Sequence, residues 1–265
     1  METDFADIDQ IKRTAVGAAY KGGAFIRERF GKIRKVSKKG AIDLVTEADI
    51  GAEEIIIRTV RSRYPDHGIL AEESGARNEG AECLWTIDPL DGTTNFTHGL
   101  GIFSVSIAFS VRGEEEAGVV FNPMTGELFS AVRGRGADLN GRPVHASSTR
   151  ELSESLLVTG FPYRFSEIMP DALAVFGRFM EASRGVRRLG SAALDLCFVA
   201  CGRFEGFWEQ NLKPWDTAAG ALIAREAGAL VTDFSGAPHR PEKKEILAAG
   251  PNAHKEMLSL IRTIE

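Results

Sequence analysis

The sequence predicts a mixed α/β protein in two lobes, and three patterns support this fold class. Residues 5–30 repeat apolar side chains at helical spacing, which predicts a long amphipathic opening helix. Alternating apolar segments separated by Gly-containing turns predict an antiparallel meander over residues 103–144. Beyond it, strand and helix patterns alternate. We therefore expect an N-terminal α+β lobe, residues 1–145, and a C-terminal α/β lobe, residues 146–265, whose mixed sheet is flanked by helices.

Composition excludes several classes of protein. The 265 residues are 43% hydrophobic and 26% charged, as in ordinary globular proteins. With 37 acidic and 32 basic side chains the net charge is -5, so we expect no nucleic-acid or anionic-membrane partner on charge alone. No segment approaches the ~18 consecutive apolar residues of a membrane span. Three cysteines form no framework of pairs and the start is acidic, which predicts a cytoplasmic setting.

The elements between the opening helix and the meander carry polar signals. Residues 31–40 are basic and are typical of a solvated loop or an edge hairpin, with attraction of phosphate as the alternative. Thr46 can cap a second helix with Asp49 at its N3 position, so both have a structural explanation. Short strands are predicted at 68–74 and 83–88. Both end in acidic residues, so they should deliver carboxylates to one region.

The second half of the chain is expected to alternate strands with helices, as in α/β proteins. Cys197 and Cys201 lie four residues apart on an apolar helix, which favours core packing over metal binding. The predicted strands are 155–159, 204–208, 230–233 and 246–249, and the predicted helices are 170–183, 191–201, 214–227 and a final helix from Asn252.

The most informative segment is Asp-Pro-Leu-Asp-Gly-Thr-Thr-Asn-Phe at residues 88–96. Asp88 and Asp91, together with Glu72, supply the hard oxygen ligands that Mg²⁺ prefers. An Asp-x-x-Asp segment alone could equally form a turn and a helix cap. Gly92 and the two threonines after it favour chemistry, because glycine permits close backbone approach and amides at a helix N-terminus bind phosphate. The segment therefore predicts a metal-and-phosphate site.

Asp216 is the further acidic candidate. It lies in Lys-Pro-Trp-Asp-Thr-Ala-Ala-Gly, residues 213–220, in the first turn of a predicted helix. Its carboxylate could simply complement the helix dipole. Alternatively, it is a metal ligand supplied by the second lobe.

These motifs resemble the inositol monophosphatase family of magnesium-dependent, lithium-sensitive sugar-phosphate phosphatases. The resemblance covers nearly the whole chain, in the family's order and at its approximate spacing. It implies a layered αβαβα sandwich, a homodimer, two to three Mg²⁺ ions per active site, and a small-molecule phosphate ester as substrate. The matching segments are residues 43–49, 72–74, 85–96, 190–193 and 215–220.

The resemblance also implies a role for each matching residue. Three residues would be catalytic because they position the attacking water: Asp49, Glu72 and Thr93. The implied metal ligands are Glu72, Asp88, the Leu90 carbonyl, Asp91 and Asp216. The phosphate would be held beside them by Gly92, Thr93 and Thr94. Glu73 would support the metal ligands without itself binding a metal ion. Lys38, or its neighbour Lys39, would lie in a mobile metal-associated loop.

Other matching positions would contact the alcohol half of the substrate. They are Arg187, Gly190, Ser191, Ala192 and Glu209. Each of the polar residues also has a simpler explanation. Glu209 could be a loop charge, Arg187 a surface ion-pair partner and Ser191 a helix N-cap.

We therefore expect a phosphomonoesterase that hydrolyses inositol 1-phosphate or a related small polyol phosphate through metal-activated water. Alternatives within the same fold are a fructose-1,6-bisphosphatase or dual-activity sugar phosphatase, a histidinol-phosphatase and a 3'(2'),5'-bisphosphate nucleotidase. Thr94-Asn95-Phe96 resembles the inositol-phosphatase branch, whereas Arg187 or Arg188 could accept a second phosphate. A regulatory scaffold protein is the alternative from another class, although the intact set of acidic residues favours catalysis.

Overall fold

The computed structural model describes residues 7–32, 36–38, 44–78, 80–161 and 169–262. Within them lie seven α-helices: α1 Ile8–Arg29, α2 Glu47–Arg61, α3 Thr93–Thr97, α4 Met169–Ala182, α5 Ala192–Ala200, α6 Pro214–Glu226 and α7 Pro251–Arg262. The same residues contain fifteen strands. They are β1 Val36–Lys38, β2 Leu44–Thr46, β3 Gly68–Ala71, β4 Gly75–Arg77, β5 Cys83–Asp91, β6 Ser104–Val111, β7 Glu114–Asn122, β8 Glu127–Val132, β9 Ala137–Leu139, β10 Arg142–Val144, β11 Leu156–Thr159, β12 Gly185–Arg187, β13 Gly206–Gln210, β14 Leu230–Thr232 and β15 Glu245–Ala249.

The first large sheet has eight strands in the order β10-β9-β8-β7-β6-β5-β3-β4. Strands β5 to β10 form an antiparallel meander, which confirms the predicted one and extends it at its N-terminal end by β5. Strand β3 runs parallel to β5, so the sheet is mixed. A separate two-stranded hairpin pairs β1 with β2, as expected for part of the basic segment.

The second sheet has five strands in the order β12-β11-β13-β15-β14. Strand β11 is parallel to both its neighbours, whereas β15 is antiparallel to β13 and β14. This is the mixed sheet expected for the second half. Strand β12 was not predicted, because three residues beginning with glycine carry too short an apolar pattern.

Three hydrophobic cores hold five layers together, and one of these cores joins both sheets to the helices between them. Neighbouring residues of a strand point to opposite faces, so Val119 packs toward α1 and α2 while Val120 packs toward α5 and α6. On the second sheet, Phe207 faces α5 and α6, whereas Trp208 packs against Phe179 of α4 with the rings tilted and their centroids 4.2 Å apart. The layers are therefore helices, sheet, helices, sheet, helices. This confirms the αβαβα arrangement.

Most predicted elements are found with ends shifted by a few residues. The predicted start of the strand at 204–208 is wrong, because β13 begins at Gly206. The N–H groups of Arg203 and Phe204 instead donate to the Phe198 carbonyl and complete the end of α5. The strand predicted at 68–74 stops at Ala71, and the acidic residues after it form a turn. None of the helices in the described ranges is long and apolar enough to cross a membrane.

The first sheet ends with β10 and the second begins with β11. Helix α6, from the second half, nevertheless packs on the first sheet through Ala219 and Gly118. A lobe boundary at residues 145 and 146 remains a proposal.

Gly118 permits the close approach of α6 to β7, which yields a prediction about stability. A Cβ atom at Gly118 would lie 2.9 Å from the Ala219 carbonyl oxygen and 3.2 Å from its Cα. These are backbone atoms, so they can move only if the helix moves. We expect Gly118→Ala to lower the free energy of unfolding by ~1–3 kcal/mol, measured by urea denaturation.

Gly17→Ala on α1 is the matched control, because no atom lies within 4 Å of its added Cβ. It should be neutral or raise stability by up to ~1 kcal/mol, since alanine is the better helix former. A Gly118→Ala protein as stable as the wild type would show that the α6 contact is not tight.

Candidate active site

Two neighbouring strand ends bring Glu72 and Asp88 together. Strands β3 and β5 are parallel, with Ala71 opposite Ile87. The Glu72 N–H then donates to the Ile87 carbonyl at 3.1 Å. Glu72 and Asp88, the next residue of β5, therefore lie at the same level of the sheet. This is the convergence of carboxylates that the sequence pattern predicted.

An irregular segment of β5 turns its two aspartates into the site. Pairing with β6 shifts register between Asp88 and Asp91, where Pro89 has no N–H to donate to a neighbouring strand. The Leu90 N–H donates to Asp88 Oδ1 at 2.9 Å, and the Leu90 side chain is buried in the core beneath. Asp88 is only 2% exposed. The segment is thus anchored on both sides of Pro89.

Gly92 redirects the chain from β5 into α3. Its φ of +102° lies in the left-handed region that favours glycine. A Cβ here would also lie 3.0 Å from the Ile102 carbonyl oxygen and 3.2 Å from that of Gly190. Thr93 and Thr94 follow as the first residues of α3. The predicted phosphate-binding residues therefore form one sharp turn beside Asp91.

Asp91 is held by residues from the second half of the chain. Its Oδ2 accepts hydrogen bonds from Ser191 Oγ at 2.6 Å and from the Ala193 N–H at 2.8 Å. Ser191 occupies the N-cap position of α5, but its hydroxyl makes no capping bond there. The simple N-cap explanation of Ser191 is therefore incomplete, because the hydroxyl binds Asp91 instead. Gly190 and Ala192 flank this contact.

Asp216 reaches the same region from the first turn of α6. Its Oδ2 accepts a hydrogen bond from the Lys213 N–H at 2.7 Å, which stabilises the start of the helix. Asp91 and Glu72 act electrostatically on Asp216. The Asp216 carboxylate therefore both stabilises the start of α6 and lies among the other acidic residues.

Burial and mutual repulsion dominate the electrostatics of this acidic cluster, which comprises Glu72, Asp88, Asp91 and Asp216. Burial, followed by the charges of the other three members, raises the pKa of Asp88 well above its usual value. Burial and then Asp91 do the same for the pKa of Asp216. Burial raises the pKa of Asp91 to about 6, although its bonds from Ser191 and Ala193 oppose the shift. Across the described ranges, no ion pair engages Asp88, Asp91 or Asp216.

The chemistry of the cluster fits a hard divalent cation. Mg²⁺ takes oxygen ligands and commonly uses a few carboxylates, with water and substrate phosphate completing its shell. Four carboxylates and the Leu90 carbonyl supply such oxygens, and a cation would offset their repulsion. The described residues do not present three acidic, histidine or cysteine side chains already converged on one ion.

Thr93 connects the phosphate turn to α2. Its Oγ1 donates to Asp49 Oδ1 at 2.9 Å and also lies 3.1 Å from the Leu90 carbonyl oxygen. One hydroxyl proton cannot serve both acceptors fully. Asp49 Oδ2 accepts from the N–H and hydroxyl of Thr46, so the predicted capping box is present as well. Burial raises the pKa of Asp49, against the effect of its bonds from Thr46 and Thr93.

Glu209 lies on the buried strand β13, so the explanation of this residue as a loop charge is wrong. Its carboxylate rests against Gly160, where an added Cβ would clash with Oε2 at 2.2 Å. Burial, followed by the charges of Asp216 and Asp91, raises the pKa of Glu209 well above its usual value. Glu209 therefore lies close enough to the acidic cluster for the charges of Asp216 and Asp91 to act on it.

The predicted basic residues are placed less centrally. Arg187 is exposed and its Nη1 donates to the neighbouring Val186 carbonyl at 3.3 Å. Arg188 is the arginine whose charge acts on Glu209. Lys38 lies on β1 in the hairpin with β2, and Lys39 lies outside the described residues.

The sequence reasoning missed three polar residues near the cluster. Asn95 Nδ2 donates to the carbonyls of Ile102 and Leu189 at 2.7 Å each, which ties α3 to the chain before α5. Asp195 is 1% exposed, and its Oδ1 has no hydrogen-bond partner among the described residues. Glu53 accepts hydrogen bonds from two amides that follow Glu72. Asp195 and Glu53 could have been noticed as acids within apolar helical patterns.

The raised pKa values predict how the metal-free protein responds to pH. Because the folded-state pKa of Asp91 is about 6 rather than 3.8, protonation of this carboxyl favours folding. That stabilisation is complete below about pH 4 and is lost as the pH rises from about 4 to about 6. Asp88 and Asp216 shift in the same direction. Metal-free protein should therefore carry an unfavourable charge repulsion at pH 7.

We expect Asp88→Asn to raise the melting temperature of EDTA-treated protein at pH 7 by ~2–4 °C for each kcal/mol of relieved repulsion. The change should be smaller at pH 4, where the carboxyl is protonated. The substituted side-chain amide would retain an oxygen acceptor for the Leu90 N–H. The exposed Asp171→Asn on α4 is the control. Equal melting temperatures for Asp88→Asn and wild-type protein at pH 7 would contradict the electrostatic account.

The chain is similar to known proteins over nearly its whole length. Residues 7–265 match the inositol monophosphatase family. The chain is 45% identical over 251 residues to Nus factor SuhB of Pasteurella multocida, covering 94% of each protein. Extragenic suppressor protein suhB from Bartonella henselae has a similar structure, with a TM-score of 0.92, 40% identity, and coverage of 96% of this chain and 98% of that one.

Inositol monophosphatase from Anabaena (Nostoc) sp. PCC 7120 is also structurally similar, with a TM-score of 0.89, 39% identity and coverage of 97% of each chain. The resemblance inferred from the sequence motifs is confirmed. This chain belongs to the inositol monophosphatase family.

Proposed function

We propose that the protein is a magnesium-dependent phosphomonoesterase that hydrolyses inositol 1-phosphate or a related small polyol phosphate. The observation that carries the proposal is the acidic cluster of Glu72, Asp88, Asp91 and Asp216, in which Asp88 is 2% exposed, beside the turn at Gly92. Family membership supports phosphatase chemistry. We further propose a cytoplasmic, lithium-sensitive homodimer, as the resemblance implies.

The acidic cluster and the Leu90 carbonyl would hold two to three Mg²⁺ ions. Bound Mg²⁺ supplies Lewis-acid stabilisation of the phosphoryl group and lowers the pKa of the attacking water. The backbone amides and hydroxyls of Gly92, Thr93 and Thr94 would hold the phosphate. Glu73 would support the metal ligands without itself binding a metal ion, and Lys38, which lies on β1, would lie near the cluster.

Other residues of the site would orient the attacking water. Asp49 holds the Thr93 hydroxyl at 2.9 Å. Thr93 and Glu72 would together orient the water whose oxygen attacks phosphorus. The phosphorus–oxygen bond to the alcohol breaks, the alcohol oxygen gains a proton, and inorganic phosphate is released. No protein nucleophile is required.

The alcohol half of the substrate would lie toward Glu209. This buried carboxylate is close enough to Asp216 and Asp91 for their charges to act on it, and it can accept hydrogen bonds from sugar hydroxyls. The turn at Gly190, Ser191 and Ala192 would border the same space. Arg187 would contact substrate only at the rim, because its side chain is exposed.

Phosphate release from a substrate panel tests the proposal. The panel contains inositol 1-phosphate, fructose 1,6-bisphosphate, histidinol phosphate and 3'-phosphoadenosine 5'-phosphate, each with and without Mg²⁺ and lithium. We expect magnesium-dependent turnover, highest for inositol 1-phosphate. Asp88→Asn should reduce kcat/KM by ~10³-fold, equivalent to about 4 kcal/mol of transition-state stabilisation.

Asp171→Asn is again the control, because this exposed aspartate lies on α4, far along the chain from the motif. It should retain wild-type turnover. Preference for another member of the panel would support the proposed mechanism but would assign a different substrate. Absence of magnesium-dependent turnover on every member would contradict the proposed activity.

A regulatory or scaffold role is the second candidate. The observation that favours it is the 45% identity to a protein named Nus factor SuhB, a name that designates a factor rather than an enzyme. Pull-down from extract of the source cells with wild-type and Asp88→Asn proteins separates the roles. A macromolecular partner retained equally by both proteins would support a scaffold function that does not depend on catalysis. Loss of every partner in both preparations would remove this candidate.

A further inference from the structure

The turn after β3 carries Glu72, and its backbone donors are fully accounted for. The Glu72 N–H donates to the Ile87 carbonyl of β5 at 3.1 Å. The next two N–H groups, of Glu73 and Ser74, donate to Glu53 Oε2 at 2.8 Å and to Glu53 Oε1 at 2.9 Å. The turn joins the paired strands β3 and β4, with Ala71 opposite Gly75, and its three N–H groups donate to one strand carbonyl and to both oxygens of a single carboxylate.

Glu53 is unusual for a residue on the packed face of a helix. It is 3% exposed on α2, between Ala52 and the fully buried Ile56. Burying a carboxylate is costly unless hydrogen bonds replace its lost water. Its hydrogen bonds in the described structure go to the Glu73 and Ser74 amides, and no ion pair engages it within those residues. The Glu53 carboxylate therefore accepts the hydrogen bonds of the turn amides, and these bonds replace the water that it loses on burial.

The chemistry of these two bonds requires a double acceptor. Each carboxylate oxygen accepts one backbone N–H. Glutamine has the same length, but it offers one acceptor oxygen and one NH₂ group, which can only donate. In a Glu53→Gln protein, one turn amide would face another donor. Aspartate keeps both acceptors but is shorter by one methylene.

Helix α2 also holds the other side of the site. Asp49, one helical turn before Glu53, accepts the Thr93 hydroxyl bond at 2.9 Å. Residues four apart share a helix face at a rise of ~6 Å along the axis. The two carboxylates of α2 thus bind two separate segments, the phosphate turn and the turn after β3. Because both carboxylates lie on one rigid helix, their spacing fixes the position of Thr93 relative to the turn that carries Glu72.

We propose that Glu53 is a positioning residue, which fixes the turn of residues 72–74 and thereby places the Glu72 carboxylate beside Asp88. The proposal rests on the proposed function in one respect, because the purpose of that placement is metal binding and orientation of water. Glu53 does not itself contact substrate. Residues that orient metal ligands from behind typically change metal affinity or activity by ~10–100-fold when altered.

Hydrogen exchange of individual amides, followed by NMR, tests the contact without reference to activity. In Glu53→Gln we expect the Glu73 and Ser74 amides to exchange at least ~10-fold faster than in wild-type protein. Glu54→Gln is the matched control, because Glu54 is the exposed neighbour on the same helix. It should leave both amides unchanged. Wild-type exchange at Glu73 and Ser74 in Glu53→Gln would overturn the proposal.

Kinetics with the best substrate of the panel test the consequence for the site. Glu53→Gln should raise the Mg²⁺ concentration for half-maximal activity and lower kcat, each by ~10-fold, with KM for substrate changed less than about twofold. A general loss of folding would instead lower the fraction of active protein and leave the Mg²⁺ dependence unchanged. Faster amide exchange with wild-type kcat and Mg²⁺ dependence would also overturn the positioning role.

Two further results keep the outcomes distinct. If Glu53→Gln does not fold, Glu53→Asp replaces it, and the same faster exchange and altered Mg²⁺ dependence are expected because its carboxylate cannot reach both amides. Wild-type behaviour of Glu53→Asp would then overturn the proposal. If wild-type protein itself shows no magnesium-dependent turnover, the proposed function fails, and the exchange experiment alone decides whether Glu53 holds the turn.

Discussion

Repulsion among clustered carboxylates is the constraint on which the rest of the structure depends. Glu72, Asp88, Asp91 and Asp216 each act electrostatically on at least one other member, and burial raises the pKa of all three aspartates. Such a cluster is stable only where the chain supplies donors or a cation supplies charge. The chain supplies backbone amides to the aspartates, and in the proposed enzyme bound Mg²⁺ would offset the remaining repulsion.

The five-layer architecture creates this cluster from distant parts of the chain. The parallel strands β3 and β5 present Glu72 and Asp88 at one edge of the first sheet. Helices α5 and α6 fill the layer between the sheets, so they supply the partners of Asp91 and the carboxylate of Asp216. Helix α2, on the opposite face, binds Thr93 through Asp49. The site is therefore assembled by layer packing, and small residues such as Gly118 permit that packing.

Local signals predicted much of this arrangement. The capping box at Thr46, the meander and the strand ends are encoded within a few residues, so spacing alone indicates them. Partner choice across the layers is not local. The bond from Ser191 to Asp91 spans 100 residues of sequence, and the acceptor role of Glu53 depends on how α2 packs. For the same reason, the exposed position of Arg187 followed from the placement of β12, which three residues encode too weakly to predict.

The most direct test of the account is proton release on Mg²⁺ binding, measured by isothermal titration calorimetry in buffers of different ionisation enthalpy. Carboxyls with raised pKa values hold protons near pH 6, and a bound cation displaces them. The account predicts proton release near pH 6 that declines as the pH rises to about 8 and that is reduced in Asp88→Asn. Mg²⁺ binding without proton release near pH 6, or no binding, would contradict the central claim that the acidic cluster is a cation site.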